Sequence, residues 1–217
     1  MTDFTFTTSK ETIDAAAEDT DSVAMYNAGN ISVDLSDEYL DYLIRLAEAR
    51  YDSGTGMPDS NQHYADDEQS DVNVSSLAGE GGLHIAYDEW ELDEEIYENG
   101  GDGGLDGVLK LGGELMDVDV KCPTSQYSGD PWLKVHATKR NYADAYVLAS
   151  YEDGEVSYHG WISSEELCRE EHRSSKTGVD NYLITDTDDL NDMPPLTVAS
   201  KSVPESEGFS LLEAAGD

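Results

Sequence analysis

Between residues 37 and 51 apolar side chains recur at helical spacing: Leu40, Leu43, Ile44 and Ala47 stand at i, i+3, i+4 and i+7. That stripe predicts an amphipathic helix with Ser36 as its N-cap. A polar loop over 52–73, holding Gly54, Gly56 and Pro58, leads to a second predicted helix from Ser75 or Ser76 to about Glu91. Its Leu83, Tyr87 and Trp90 share one face, and Glu80 lies one turn before Leu83 on that face. After the glycine-rich stretch 99–104 the period changes to two. Residues 105–111 and 114–122 then form a predicted hairpin around Gly112-Gly113, a pair that suits a two-residue turn. Along its second strand Met116, Val118 and Val120 face one way, and Asp117, Asp119 and Lys121 the other. Further strands are predicted over 132–137, 145–151, 156–162 and 181–184, with a turn at Asp189-Leu190. Ser163 and Glu166, three residues apart, make a capping box for a helix between the last two of these strands.

Helices, then a group of strands, then a helix and a strand predict an α/β (α+β) domain built on a mixed central sheet flanked by helices. The length suits one domain, expected over residues 31–198, between a flexible acidic arm (1–30) and an acidic tail (199–217). No apolar run is long enough to span a bilayer, and the first residues lack the basic and apolar regions of a secretory signal. A soluble, cytoplasmic protein is expected. Cys122 and Cys168 are expected as free thiols, and neither has a partner at zinc-ligand spacing. The five histidines are scattered.

Charge changes the picture more than any other bulk property. Forty-eight acidic residues against 12 basic ones leave a formal net charge of −36. Such a balance is found in acidic disordered proteins and in DNA mimics. Here, however, the acids run through segments with clean apolar periodicity. Adaptation to multimolar salt explains both: at 1 M the Debye length is about 3 Å, so carboxylates hardly repel one another. A haloarchaeon, or one of its viruses, fits that composition. The same screening lifts the usual objection to an acidic protein binding nucleic acid. Between Lys110 and Arg140 five basic residues (Lys110, Lys121, Lys134, Lys139, Arg140) meet four acids, which marks a candidate phosphate-facing surface.

The chemistry concentrates in GDGGLDGVLKLGGELMDVDVK, residues 101–121. Asp106 and Asp119 each stand six residues from the predicted turn, so the hairpin sets them side by side. Lys121 shares a face with Asp119. Two converging carboxylates repel unless a proton or a cation intervenes, and a divalent metal with oxygen ligands is the natural occupant. Alone, Asp-x-Lys in a strand is an ordinary ion pair, and Glu80 an ordinary solvated carboxylate. Order and spacing together carry the reading.

GDGGLDGVL followed by DVK resembles the metal-binding core of the PD-(D/E)XK, or restriction-endonuclease-like, nucleases. Asp106 matches the first acid of that pattern, and Asp119-Val120-Lys121 its acid-x-lysine tripeptide. GEGGLHIAYDEW offers Glu80 for the glutamate on the preceding helix. No proline precedes Asp106, and an Asp stands where Glu is commoner. Asp102 is the alternative first ligand; Asp106 is preferred because it is in register with Asp119. The resemblance implies a restriction-endonuclease-like core and a hydrolase that cuts phosphodiesters, of DNA above all. It implies Mg²⁺ (or Mn²⁺) held by Asp106, Asp119, the Val120 carbonyl and Glu80, with Lys121 acting on the attacking water. Lys110, Gln126, Tyr127, Lys134, Lys139 and Arg140 become candidate nucleic-acid contacts, and a homodimer is a possible assembly. A fold-retaining binding module without activity, or a DNA mimic, are the alternatives.

Overall fold

The computed structural model describes residues 22–27, 29–54, 66–94, 105–123, 131–139, 142–175 and 179–197. Two short strands open the fold, β1 (Val23–Asn27) and β2 (Asn30–Asp34), followed by helices α1 (Asp37–Gly54) and α2 (Asp66–Ala86). Then come β3 (Gly107–Leu111), β4 (Glu114–Lys121), β5 (Leu133–His136), β6 (Ala145–Glu152) and β7 (Glu155–Ser163). A one-turn helix α3 (Ser164–Leu167), β8 (Arg173–Ser174) and β9 (Asn181–Ile184) complete the order. The architecture is mixed α/β, compatible with the α+β class.

Six strands form the main sheet in the order β1-β2-β7-β6-β4-β3, and three form a small sheet, β5-β9-β8. Only β4 and β6 run parallel in the main sheet; its other neighbours are antiparallel. The β3–β4 hairpin turns at Gly112 and Gly113, with φ of 59° and 95°. Both residues of such a turn need positive φ, which glycine adopts without steric cost.

Alternation along the strands gives the main sheet two coats. One face carries Ile31, Val33, Leu109, Val118, Val120, Val147 and Tyr158 into a core covered by α1 and α2. The other carries Tyr146, Leu148 and Ile162 into a smaller core roofed by the small sheet and α3. Each large side chain buried in this way contributes roughly 1.5–3 kcal/mol. Three glycines bring α2 close to its sheet and to α1. A Cβ on Gly79 would lie 3.0 Å from Cys122 Cβ, one on Gly81 2.8 Å from Leu43, and one on Gly82 2.2 Å from the Tyr158 hydroxyl oxygen.

Several expectations meet the structure closely. Ser36 Oγ accepts from the Tyr39 N–H at 3.2 Å, as an N-cap does. Ser163 caps α3, and β9 spans 181–184 as expected. Others shift. In α1 the deepest residues are Tyr39, Tyr42, Leu43, Leu46 and Ala47, while Leu40 and Ile44 are half-buried. The second helix begins at Asp66, inside the expected loop, and ends at Ala86. Tyr87 and Trp90 are still buried, but in the turn that follows it. The expected arm includes β1, whose pairing with β2 brings Val23–Asn27 into the domain. The short polar-flanked patterns of β1, β2 and β8 carry little periodicity of their own, and pairing makes them strands.

Candidate active site

β4 is the backbone of the site. Val118 and Val120 enter the helix-side core, so Asp119 and Lys121 project from the opposite face. Asp119 is 5% exposed, and its Oδ1 lies 2.5 Å from Lys121 Nζ. The lysine side chain is itself 31% exposed, so the pair joins a buried carboxylate to a reachable ammonium. Parallel pairing sets Tyr146 of β6 beside Asp119. Burial, and then the charge of Asp119, push the Tyr146 phenol well above its ordinary pKa. It remains a neutral donor, and its hydroxyl donates to the Lys139 carbonyl at 3.0 Å.

Asp106 enters differently from the expected side-by-side arrangement. The hairpin keeps the predicted register as far as Gly107↔Val118. One residue earlier, the Asp106 N–H donates to Val118 O at 3.0 Å, so two residues of one strand face one of the other. That is a β-bulge, and a bulge re-aims the side chain it carries. The Asp106 carboxylate turns along the edge of β4 and accepts the Val120 N–H at 2.6 Å. It caps a backbone donor where β3 has ended. The Val120 carbonyl faces the same edge, since a residue's N–H and C=O point to one side of its strand.

Glu80 lies across the strand. α2 packs on the face of β4 that carries Val120 and Cys122, and Glu80 is 5% exposed there. Its Oε2 is 3.8 Å from Arg50 of α1. Arg50 also reaches Asp93, at 2.6 Å to the carbonyl and 3.3 Å to the carboxylate. Burial first, and the Glu80 charge second, push the Cys122 thiol up to about 12. Arg50 is thus an ion-pair partner of Glu80. His84 on the same helix has Nδ1 3.1 Å from the Trp90 carbonyl, a satisfied, half-buried histidine.

Where β3 ends an open groove of about 870 Å³ runs along the sheet edge. Glu89, Glu91, Asp93, Glu94, Asp106 and Asp117 line it together with Leu92, Leu105, Gly107 and Val108. Of the candidate phosphate contacts that are described, Lys110, Lys134 and Lys139, none lines it. Lys110 pairs with Leu115 near the hairpin tip, and six residues of strand put Lys121 about 20 Å away. Lys134 and Lys139 are exposed on and beside the small sheet, with Lys134 Nζ 5.8 Å from the centre of the Trp132 ring. Gln126, Tyr127, Arg140 and Asp102 lie outside the described residues.

Mg²⁺, the cation that the resemblance implies, takes hard oxygen donors and can bind through one or two carboxylates while keeping its other waters. Asp106, Asp119 and the Val120 carbonyl are donors of that kind on neighbouring positions of one hairpin. Among the described residues no group of three or more His, Cys, Asp or Glu is arranged to hold a metal. Two carboxylates and a carbonyl are hard donors of the kind that Mg²⁺ takes, and Glu80 Oε2 stands 3.8 Å from Arg50. A further polar pair escaped the sequence reading: Ser150 Oγ on β6 lies 2.8 Å from His159 Nε2 on β7. Their place on alternate positions of two predicted strands was the available signal.

Compared with protein-family models, with curated proteins and with solved structures, the chain matches none. The likeness to the PD-(D/E)XK nucleases rests on the motif. No helix among the described residues is long and apolar enough to cross a membrane.

Proposed function

We propose that this chain is a metal-dependent nuclease that hydrolyses phosphodiester bonds, of DNA foremost, at the β3–β4 hairpin. The observation that carries the reading is the buried Asp119 paired with the reachable Lys121 on one face of β4, next to the strand end that Asp106 caps. The hairpin with β6 parallel to β4 supports a restriction-endonuclease-like core. Asp106, Asp119 and the Val120 carbonyl would hold Mg²⁺. Bound there, the ion would polarise the scissile phosphate and lower the pKa of a water.

The chain's own groups supply the rest. The Lys121 ammonium, steered by Asp119, orients the attacking water and offsets charge growing on the phosphate oxygens. The water oxygen bonds to phosphorus as one ester P–O bond breaks, leaving a phosphomonoester and a free hydroxyl. Asp106 acts twice, as a donor for the cation and as the cap that holds Val120. Glu80, directly or through a water, would complete the set, and its carboxylate stands 3.8 Å from Arg50. That ion pair favours a second reading, a nuclease fold that binds nucleic acid without cutting it.

Incubation with plasmid, linear and single-stranded DNA in molar KCl with Mg²⁺ or Mn²⁺ tests the proposal. Cleavage is expected, and Lys121→Ala or Asp119→Ala should lower its rate by about 10²–10³. Absence of cleavage, or variants that cut as fast as the parent, would sink the nuclease reading; binding without cutting would establish the second.

A further inference from the structure

The main sheet has an outer face that the small sheet covers only in part. Tyr146, Leu148 and Ile162 lie under it, buried in the second core. Beyond them the face continues over β7, β2 and β1. Ile31, Val33, Val156 and Tyr158 point into the helix-side core, so their neighbours Ser32, Ser157 and His159 point outward. Ser150 alternates with the buried Ala149 and joins them.

Register turns these residues into a row. Ser150 pairs with Ser157, Ser157 with Ser32, and Ser32 with Met25. With strands about 4.8 Å apart, three hydroxyls follow one another across about 10 Å of sheet. His159 and the pair Asn27↔Asn30 border the row on one side. The row begins beside the proposed active site: Lys121 pairs with Leu148, and Ser150 is the next outward residue along β6. All four of Ser32, Ser150, Ser157 and His159 are half-exposed.

Two features set this patch apart. First, none of its four side chains is acidic in a chain that has 48 carboxylates, and the Ser157 hydroxyl meets one only at the border, donating to Glu155 Oε1 at 3.5 Å. The adjacent cross-strand set, Glu152, Glu155 and Asp34, is wholly acidic and exposed, and so is most of the groove at the other end of the sheet. Second, His159 occupies an interruption of the β6–β7 register: Leu148 pairs with Gly160 and Ala149 with Tyr158, so His159 is the extra residue of a bulge. The bulge sets its ring against Ser150. Burial lowers the pKa of that ring, so near neutrality it is an uncharged hydrogen-bonding group.

We infer that this hydroxyl and imidazole row is the track of a nucleic-acid strand leading to Lys121, on the outer sheet face and not in the acidic groove. The inference rests on the nuclease reading for its destination. Phosphate oxygens accept hydrogen bonds, which serine hydroxyls, asparagine amides and a histidine N–H donate. In molar salt, screened charge contributes little over distance, and direct hydrogen bonds carry recognition. A carboxylate in contact with the strand would still repel it, and none of the four side chains of this row is acidic.

The test uses the full chain in molar KCl and a fluorescent single-stranded oligodeoxynucleotide. Binding is read by anisotropy with Ca²⁺, and cleavage separately with Mg²⁺. Ser157→Asp places a carboxylate in the row and should weaken binding at least tenfold. The uncharged pair Ser32→Ala with Ser157→Ala, and His159→Gln alone, should each weaken it by about three- to tenfold, as loss of one or two hydrogen bonds does. Val179→Asp, an exposed site on the small-sheet side, adds the same charge and should leave binding unchanged. In the cleavage assay His159→Gln should raise KM and leave kcat alone. Thermal melts identify any variant that has unfolded, and the serine-to-alanine pair and His159→Gln then decide. If the parent cuts but these variants bind and cut like it, the track is wrong and the nuclease reading stands. If the parent binds through the row and does not cut, the track stands and the nuclease reading falls. A parent that neither binds nor cuts overturns both.

Discussion

His159 shows how much one residue's surroundings alter its chemistry. Desolvation holds its folded pKa below the ordinary value of 6.5. Above that pH neither the folded nor the unfolded chain carries the proton. As pH falls through the unfolded value, the unfolded chain takes up a proton that the folded one refuses, so stability drops. The decline ends once pH passes below the folded pKa. Melting temperatures from pH 7.5 down to pH 5 or so should therefore fall more steeply for the parent than for His159→Gln, with the carboxylates common to both cancelling. Parallel curves would show that the ring is solvated. Asp106 makes the complementary point. Its distance from the turn was legible, and the register it predicts holds up to the residue next to it. The bulge that turns its carboxylate to the Val120 N–H is a matter of where β3 stops, which no periodicity records.

Among the elements, α2 shows two opposing effects of glycine. In an exposed helix Gly→Ala gains up to about 1 kcal/mol through propensity. At Gly82 the added methyl would stand 2.2 Å from the Tyr158 hydroxyl oxygen, and that hydroxyl donates to Gly79 O at 2.6 Å. Tyr158 is fully buried. Overpacking of this kind costs about 1–3 kcal/mol and outweighs propensity, so Gly82→Ala should lower the melting temperature by several degrees. A rise in melting temperature would show that α2 packs more loosely on the sheet. The helices also mark the limit of pattern reading. α1 announced itself through its stripe, and the hairpin through Gly112-Gly113. The first turns of α2 hold Asp66, Asp67, Glu68 and Gln69, a polar run without an apolar stripe, so they read as loop.

For the whole molecule the decisive quantity is the charge of −36. At 0.1 M salt the Debye length is about 10 Å, longer than the spacing of neighbouring surface carboxylates, and at 1 M it is about 3 Å. Self-repulsion therefore opposes the compact state in dilute buffer and fades in concentrated salt. Melting temperature should rise continuously from 0.1 to 2 M KCl, with most of the gain below 1 M where the Debye length changes fastest. A chain equally stable across that range would lose the argument for salt adaptation, and with it the argument that recognition proceeds through hydrogen bonds.

By itself the sequence determined the two faces of the hairpin strand β4. A period of two forces Asp119 and Lys121 to one side of β4 and Val118 and Val120 to the other, whatever the fold around them. It determined the hairpin turn for the same local reason. Tertiary structure alone decided which charges meet. Glu80 shares a helix face with apolar residues that pack in the core, and that packing brings its carboxylate 3.8 Å from Arg50, thirty residues earlier in the chain. The row Ser150, Ser157, Ser32 has the same origin. Its members come from three strands, and only long-range pairing brings them onto one line.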